Sequence, residues 1–147
     1  MEWKIDYLEQ DGIVYMKTSG PASWEDIRKM SKKAMTTASS NNSHKFLVDH
    51  RIMEPGLSTL QIDDLPGMLK EVGVTGDDKV AIIFDPSSQA QMSNSFSFFI
   101  NSAIIESLQV RLFADPKEAI AWLKSDEFGP DERERGTEDR TCSTEQI

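Results

Sequence analysis

The stretch that decides the fold is KFLVDHR, residues 45–51. Its apolar run, residues 46–48, lies between charged residues and is typical of a strand buried on both faces. Asp49, His50 and Arg51 follow directly, where the carboxyl end of an inner strand meets a loop. Because ligands of open α/β sheets usually bind at that edge, we take these three side chains as the first candidate site.

Two strand-like segments precede this stretch and predict an antiparallel hairpin. Apolar and polar side chains alternate near the start of the chain, and a second apolar run begins at Ile13. Asp11 and Gly12 lie between the two segments, and Asp-Gly is a strong hairpin signal because the turn requires a positive φ. We expect the two strands at residues 2–9 and 13–19.

Serine residues mark the start of two predicted helices. Ser23 is followed three positions later by Asp26, and Ser58 by Gln61, in the pattern of a capping box. The second helix has a proline inside its apolar pattern. Because proline lacks a backbone N–H, we expect that helix to break near residues 64–66.

The later segments continue the alternation of strands and helices. Residues 80–84 are an apolar run typical of a buried strand, and residues 110–113 are predicted as the last strand. Residues 91–107 form the longest predicted helix, and a last helix begins at Asp115. With the strand at residues 46–50, they predict an α/β fold. We expect a mostly parallel sheet of about five strands, with an N-terminal antiparallel hairpin strand and about four helices.

Composition limits the classes of function. The chain has 147 residues, which suits one domain; we expect that domain at residues 1–124 and a charged, polar tail at residues 125–147. There are 25 acidic and 16 basic side chains, for a net charge of −9. A surface this acidic disfavours binding to nucleic acid and to anionic membranes.

The cysteine content and the hydropathy pattern bear on the compartment. Cys142 is the single cysteine of the sequence, so no internal disulfide can form, and a reducing, cytoplasmic setting is the simplest interpretation. No stretch approaches the roughly 18 consecutive apolar residues that a membrane-spanning helix needs. We therefore expect no integral membrane segment.

Three motifs carry a family resemblance: KFLVDHR, KVAIIF at residues 79–84, and VRLFADPKEAIAWL at residues 110–123. The chain resembles the SpoIIAA-like (STAS) domains of anti-sigma-factor antagonists, a family related to the CRAL-TRIO lipid-transfer proteins. The order of elements agrees from residue 1 to about residue 123. The resemblance implies a SpoIIAA-like fold and a non-enzymatic regulatory role.

One functional motif of that family is absent here. Antagonists of the sporulation type resemble phosphorylation switches, with an Asp-Ser pair at the start of the helix that follows the central strand. In this sequence Leu57 precedes Ser58, and the preceding loop is longer than in that motif. Ser58 is therefore open to two interpretations, a phosphorylation site at a helix N-terminus or an ordinary N-cap.

The predicted helix at residues 91–107 has apolar side chains on two sides. Five of them cluster on one side at 100° per residue and form its core face: Phe96, Phe99, Ile100, Ala103 and Ile104. Phe98 and Ile105 lie nearly opposite that cluster. They pack against a second subunit or the tail, meet an apolar ligand or lipid surface, or are exposed without a role.

Catalytic and metal chemistry have less support. Neighbouring side chains on a strand point to opposite faces, so Asp49 and His50 should not converge, whereas Asp49 and Arg51 can form an ion pair. His44 lies far from His50 along the strand, and we expect no metal site. The phosphate-binding patterns GxxxxGK and GxGxxG are both missing, and we expect no cofactor.

The sequence thus leads to one preferred hypothesis and two alternatives. The preferred one is a non-enzymatic STAS-like domain that binds a protein partner or forms a homodimer, through Phe98, Ile105 and the loop at residues 49–58. The first alternative is a small apolar ligand or lipid binding protein, with a cavity under the helix at residues 91–107. The second, an enzyme that uses Asp49 and Arg51, has the least support.

Overall fold

A computed structural model of the chain describes residues 1–88, 99–100, 103–104 and 106–125. Phe99, Ile100, Ala103 and Ile104 are helical, in agreement with the helix predicted for that region. The regular elements of the described residues are, in chain order, β1 (Glu2–Leu8), β2 (Ile13–Pro21), α1 (Trp24–Ser40), β3 (Lys45–Glu54), α2 (Thr59–Glu71), β4 (Lys79–Ile83), β5 (Gln109–Phe113) and α3 (Pro116–Lys124). The predicted domain boundary at residue 124 lies at the end of the described residues. The predicted tail, residues 125–147, lies outside them except for its first residue.

The strands form one five-stranded sheet in the order β1-β2-β3-β4-β5. β1 pairs with β2 in the antiparallel sense, and the other neighbours pair in parallel. The predicted α/β fold, with a mostly parallel sheet and an antiparallel hairpin strand, is confirmed. β3 lies at the centre, so its carboxyl end has a neighbouring strand end on each side.

The local signals in the sequence place the ends of these elements. Gly12 has a φ of +68° in the turn between β1 and β2, as the Asp-Gly signal requires. The Ser23 hydroxyl accepts a hydrogen bond from the Asp26 N–H at the start of α1. Asp115 is the N-cap of α3, with a proline in the first turn. The positive φ of the glycine and the short-range hydrogen bonds of the two caps explain these three positions.

The predicted end of the central strand at His50 was wrong, because β3 continues to Glu54. The extension pairs with the last residues of β2, which reaches Pro21 rather than residue 19. Three of these four β3 residues are exposed, and the apolar Ile52 and Met53 are adjacent instead of alternating with polar residues, so the hydrophobicity pattern does not indicate a strand. Backbone pairing with β2 holds them in extended conformation.

A β-bulge interrupts β3 just where the candidate site lies. Lys17 pairs with Asp49 and Ser19 pairs with Ile52, so β3 uses one more residue than β2 between these two pairs. An extra residue reverses the alternation of side chains beyond it. As a result His50 and Met53 both line the same side of the sheet, while the Ile52 side chain is exposed.

Each face of the sheet has its own apolar core. α1 and α2 cover one face, together with Phe99 and Ala103, and α3 covers part of the other face. The α3 side buries Ala119, Trp122 and Leu123 against apolar side chains of β2, β3, β4 and β5. The sheet therefore separates the side chains of β3 into two distinct environments.

The break predicted near residues 64–66 was also wrong, since α2 runs without interruption from Thr59 to Glu71 with Pro66 inside it. The Pro66 side chain is fully buried. Ile62, Leu65 and Leu69 on the same helix pack against the core. This burial of apolar surface offsets the hydrogen bond that the proline removes.

Candidate functional site

The three residues chosen from the sequence lie on opposite faces of β3. Asp49 and Arg51 contact each other on the α3 side of the sheet, next to Tyr15. His50 lies on the side that α1 and α2 cover. The alternation of side chains along a strand predicted this separation, and the structure agrees.

Asp49 is the buried centre of a polar cluster that reaches the surface through Arg51. Its carboxylate accepts hydrogen bonds from Arg51 Nη2 at 2.8 Å, Arg51 Nε at 3.0 Å and the Arg51 backbone N–H at 3.1 Å. The Tyr15 hydroxyl donates to the same carboxylate at 3.4 Å. Asp49 is only 2% exposed, whereas Arg51 reaches solvent.

The electrostatics of this pair favour a structural role. Burial by itself raises the pKa of Asp49, but the hydrogen bonds and the charge of Arg51 outweigh it, and the pKa lies below its usual value. An ionised carboxylate whose oxygens already accept four hydrogen bonds is a weak proton acceptor near neutral pH. The ion pair expected between Asp49 and Arg51 is therefore present, in a geometry that suits stabilisation better than catalysis.

His50 is held by Thr18, a buried residue of the neighbouring strand. Thr18 Oγ1 lies 2.7 Å from His50 Nδ1 and 3.3 Å from the Asp49 carbonyl oxygen. Burial lowers the pKa of His50 to about 4, although the nearby Asp49 charge acts in the opposite direction. The imidazole is therefore neutral at pH 7.

An apolar cavity of about 170 Å³ lies between the sheet and the two helices on the His50 side. The described lining includes Met16, Met30, Ala34, Phe46, Val48, Ile62 and Leu65, with His50, Ser31 and Glu54 as its polar members. Small side chains on α1 leave the space open, since Ser31 and Ala34 face the sheet where a leucine would fill it.

The sequence predicted a cavity under the helix at residues 91–107, and Phe99 belongs to that helix. The cavity found among the described residues is bordered by α1 and α2, and Phe99 also contributes to its lining. The sequence signal for it is the pair of small residues, Ser31 and Ala34, on the buried side of α1. That signal is weak, because small residues on a helix equally indicate close packing against a sheet.

The loop after β3 forms the mouth of this cavity. Met53 and Leu57 line it, and the backbone between them is fixed against the β2–α1 connection. The Ala22 N–H donates to the Glu54 carbonyl at 2.8 Å. A Cβ atom on Gly56 would lie 2.1 Å from the Ala22 carbonyl oxygen, so the two segments approach as closely as only glycine permits.

Ser58 is the N-cap of α2, within a complete capping box. Its hydroxyl accepts from the Gln61 N–H at 3.1 Å, and its own N–H donates to Gln61 Oε1 at 2.9 Å. The ordinary N-cap interpretation is thus confirmed, while phosphorylation of Ser58 stays a prediction. Phe98 and Ile105, the other candidate residues, lie outside the described residues.

Two large aliphatic side chains near the same loop are exposed. Ile52 on β3 is 57% exposed, and Leu60 in the first turn of α2 is 77% exposed. They flank the loop at residues 55–58 in the sequence. We call Ile52, Leu60 and this loop the β3-end surface.

The described residues contain neither a cluster of three potential metal ligands nor a helix long and apolar enough to cross a membrane. His44 is separate from His50 and pairs with Asp78, with 2.7 Å between His44 Nδ1 and the carboxylate. Its position at the start of β3 is the one expected from the sequence.

The fold and site together define a small α/β domain whose central strand separates the Asp49–Arg51 ion pair from an apolar cavity. The family model described as SpoIIAA-like matches residues 13–124, and the chain belongs to this family. The match begins at β2 and ends with the last residue of α3, so it includes the whole candidate site. The resemblance inferred from the motifs is therefore confirmed. No curated protein matches the chain.

Proposed function

We propose that the protein is a non-enzymatic regulatory domain that binds another protein, or a second copy of itself, through the β3-end surface. Membership of the SpoIIAA-like family supports a regulatory role. The observation that carries the choice of surface is the exposure of Ile52 and Leu60 on either side of one loop. Burying an aliphatic side chain of this size contributes about 1.5–3 kcal/mol, so two of them can anchor a partner.

The chemistry of the described site supports binding over catalysis. Asp49 is ionised and its oxygens are occupied by Arg51 and Tyr15. His50 is neutral, with a pKa of about 4, and is thus a weak base at pH 7. General acid-base catalysis works best with a group whose pKa is near the operating pH, and neither residue meets that requirement.

The β3-end surface can be tested with two charge substitutions and a matched control. We expect Ile52→Asp and Leu60→Asp each to weaken association at least about tenfold, because a carboxylate would have to be desolvated at the contact. Thr36→Asp places the same charge on an exposed position of α1 and should have no effect. Light scattering over a range of concentrations measures self-association of the full chain and its variants.

A monomeric wild-type chain would direct the test to another protein. In that case, a partner captured from cell extract should be retained by wild type and Thr36→Asp and lost by both Ile52→Asp and Leu60→Asp. Equal capture by all four proteins would exclude the β3-end surface as the binding site.

The sequence also assigns Phe98 and Ile105 to an association surface. These residues fall opposite the core face of the predicted helix at residues 91–107, and their role remains a prediction. A homodimer that uses them should dissociate when Phe98 is changed to Asp. A Phe98→Asp protein that stays dimeric by light scattering would remove them from the interface.

The cavity supports a second candidate function, the binding of a small apolar ligand. A space of about 170 Å³ with almost wholly apolar walls is a ready site for such a molecule. Native mass spectrometry of protein purified from cells should show the added mass. Ala34→Leu should abolish it by filling the cavity, whereas Thr36→Asp, on the exposed side of the same helix, should retain it. Unmodified mass in wild type would count against this function.

A further inference from the structure

His50 is a lining residue that can form a hydrogen bond with a ligand inside the cavity. Most of the described lining is aliphatic, methionine or phenylalanine, and the polar members are His50, Ser31 and Glu54. Glu54 is exposed at the mouth of the cavity. The contact with Thr18 holds His50 against the face of the sheet that the cavity borders. A ligand in the cavity therefore meets an imidazole on one wall.

The contacts of Thr18 favour a proton on Nδ1 of the imidazole. The hydroxyl has a single proton, and it lies within hydrogen-bond distance of both the Asp49 carbonyl and His50 Nδ1. The carbonyl can only accept. Both hydrogen bonds exist together only when Thr18 donates to the carbonyl and His50 Nδ1 donates to Thr18. In a neutral imidazole this leaves Nε2 as an acceptor, and no hydrogen bond from a described residue reaches it.

The size of the cavity limits the ligand. Apolar cavities of about 150 Å³ bind a benzene ring, whereas drug-sized ligands occupy about 300–1,000 Å³. At about 170 Å³, the space fits one six-membered ring with a single small substituent. A two-chain lipid exceeds it several times over.

The charge of the surroundings limits the ligand further. An ionised carboxylate has no proton to give Nε2, and the cationic side chains Lys and Arg that would bind a carboxylate or a phosphate are absent from the described lining, which contains Glu54 instead. An anion would lose its hydration without compensation. A neutral hydroxyl has the donor that Nε2 needs and a low cost of desolvation.

We propose that the cavity binds a small neutral ring compound with one hydroxyl group, and that the hydroxyl donates a hydrogen bond to His50 Nε2. This inference rests on the second candidate function above and specifies its ligand. The apolar walls supply most of the affinity, and His50 supplies the preference for a hydroxyl over a methyl group of the same size.

Phenol and toluene form a matched pair of probes, since they differ only in a hydroxyl and a methyl group. Calorimetric titration at pH 7 should show that wild type binds phenol. In His50→Leu the ratio of phenol to toluene affinity should fall at least about tenfold, because the hydroxyl would be buried without a partner. Thr18 can still donate to the Asp49 carbonyl in that variant, which limits the structural damage.

Two further variants distinguish the loss of the hydrogen bond to His50 from a change in the shape of the cavity. His50→Gln retains a side-chain acceptor and should keep most of the preference for phenol. His44→Gln removes the other histidine, outside the described lining, and should leave both affinities unchanged. A preference for phenol that His50→Leu leaves intact would overturn the inference. Binding of toluene without phenol by wild type would also overturn it, while the cavity function would stand.

The tautomer can be measured without any variant. Nitrogen chemical shifts of the His50 ring, measured by NMR on the full chain at pH 7, should show a protonated Nδ1 and an unprotonated Nε2. The opposite tautomer would overturn the proposed hydrogen bond. Binding of neither probe would overturn both this inference and the second candidate function.

Discussion

His50 shows how one residue acquires its properties from the fold. In the sequence it is the middle of three ionisable residues, and the alternation of side chains along a strand places it on the opposite face from Asp49 without indicating what lies there. In the structure it faces an apolar cavity, its Nδ1 lies against Thr18, and burial lowers its pKa to about 4. The same strand places Asp49 in an ion pair with Arg51, so at neutral pH Asp49 is charged while the adjacent His50 is neutral.

The pKa of His50 predicts a stability that depends on pH. The unfolded chain binds a proton at a pKa of about 6.5, and the folded chain at about 4, so the unfolded state takes up more protons between these values. Stability should therefore fall as the pH is lowered from 7 to 5, by about 1–2 kcal/mol from this residue. Urea unfolding at the two pH values, followed by tryptophan fluorescence, measures the change.

The matched variants for this measurement are His50→Gln and His44→Gln. The first should lose most of the dependence between pH 7 and 5, and the second should retain it. A His50→Gln protein with the same dependence as wild type would show that His50 is charged in the folded state, or that other groups dominate.

At the scale of a single element, α2 shows how a helix tolerates an unfavourable residue. Pro66 removes a backbone hydrogen bond inside the helix, yet its ring is buried and the helix is continuous. The capping box of Ser58 and Gln61 satisfies backbone groups at the N-terminus. The local pattern around Ser58 was sufficient to locate the start of α2. Whether Pro66 breaks the helix depended on the apolar core against which α2 packs.

The cap predicts a specific loss of stability. Ser58→Ala removes the acceptor for the Gln61 N–H and should lower the free energy of unfolding by about 1 kcal/mol. Ser58→Asp retains an acceptor and adds a negative charge that is favourable at a helix N-terminus, so its stability should stay within about 0.5 kcal/mol of wild type. Urea unfolding at pH 7 compares the three proteins. Equal destabilisation by both substitutions would contradict the assigned role of the hydroxyl.

At the scale of the whole molecule, two loops distant in sequence meet at the mouth of the cavity. The connection from β2 to α1 and the connection from β3 to α2 are joined at Ala22, Glu54 and Gly56. This contact sets the position of the cavity mouth and of the loop in the β3-end surface. Changes here should affect both proposed binding sites together.

Two glycines allow that contact to be tested. Gly56→Ala should lower the free energy of unfolding by about 1–3 kcal/mol, because the new methyl group forces the loop away from the Ala22 carbonyl. Gly67→Ala in α2 has no atom within 4 Å of its new Cβ, and should raise stability by about 0.5–1 kcal/mol through helix propensity. Thermal and urea unfolding measure both. A neutral Gly56→Ala would show that the loop is not held against Ala22.

The sequence by itself determined the alternation of strands and helices, the hairpin at Gly12, the caps at Ser23, Ser58 and Asp115, and the pairing of Asp49 with Arg51. Each of these depends on residues within a few positions of one another, or on the period of two along a strand. Only the tertiary structure decided the extension of β3 to Glu54, the continuity of α2 through Pro66 and the environment of His50. These depend on pairing with β2, on burial beneath α1 and α2, and on a β-bulge, which are contacts between distant parts of the chain.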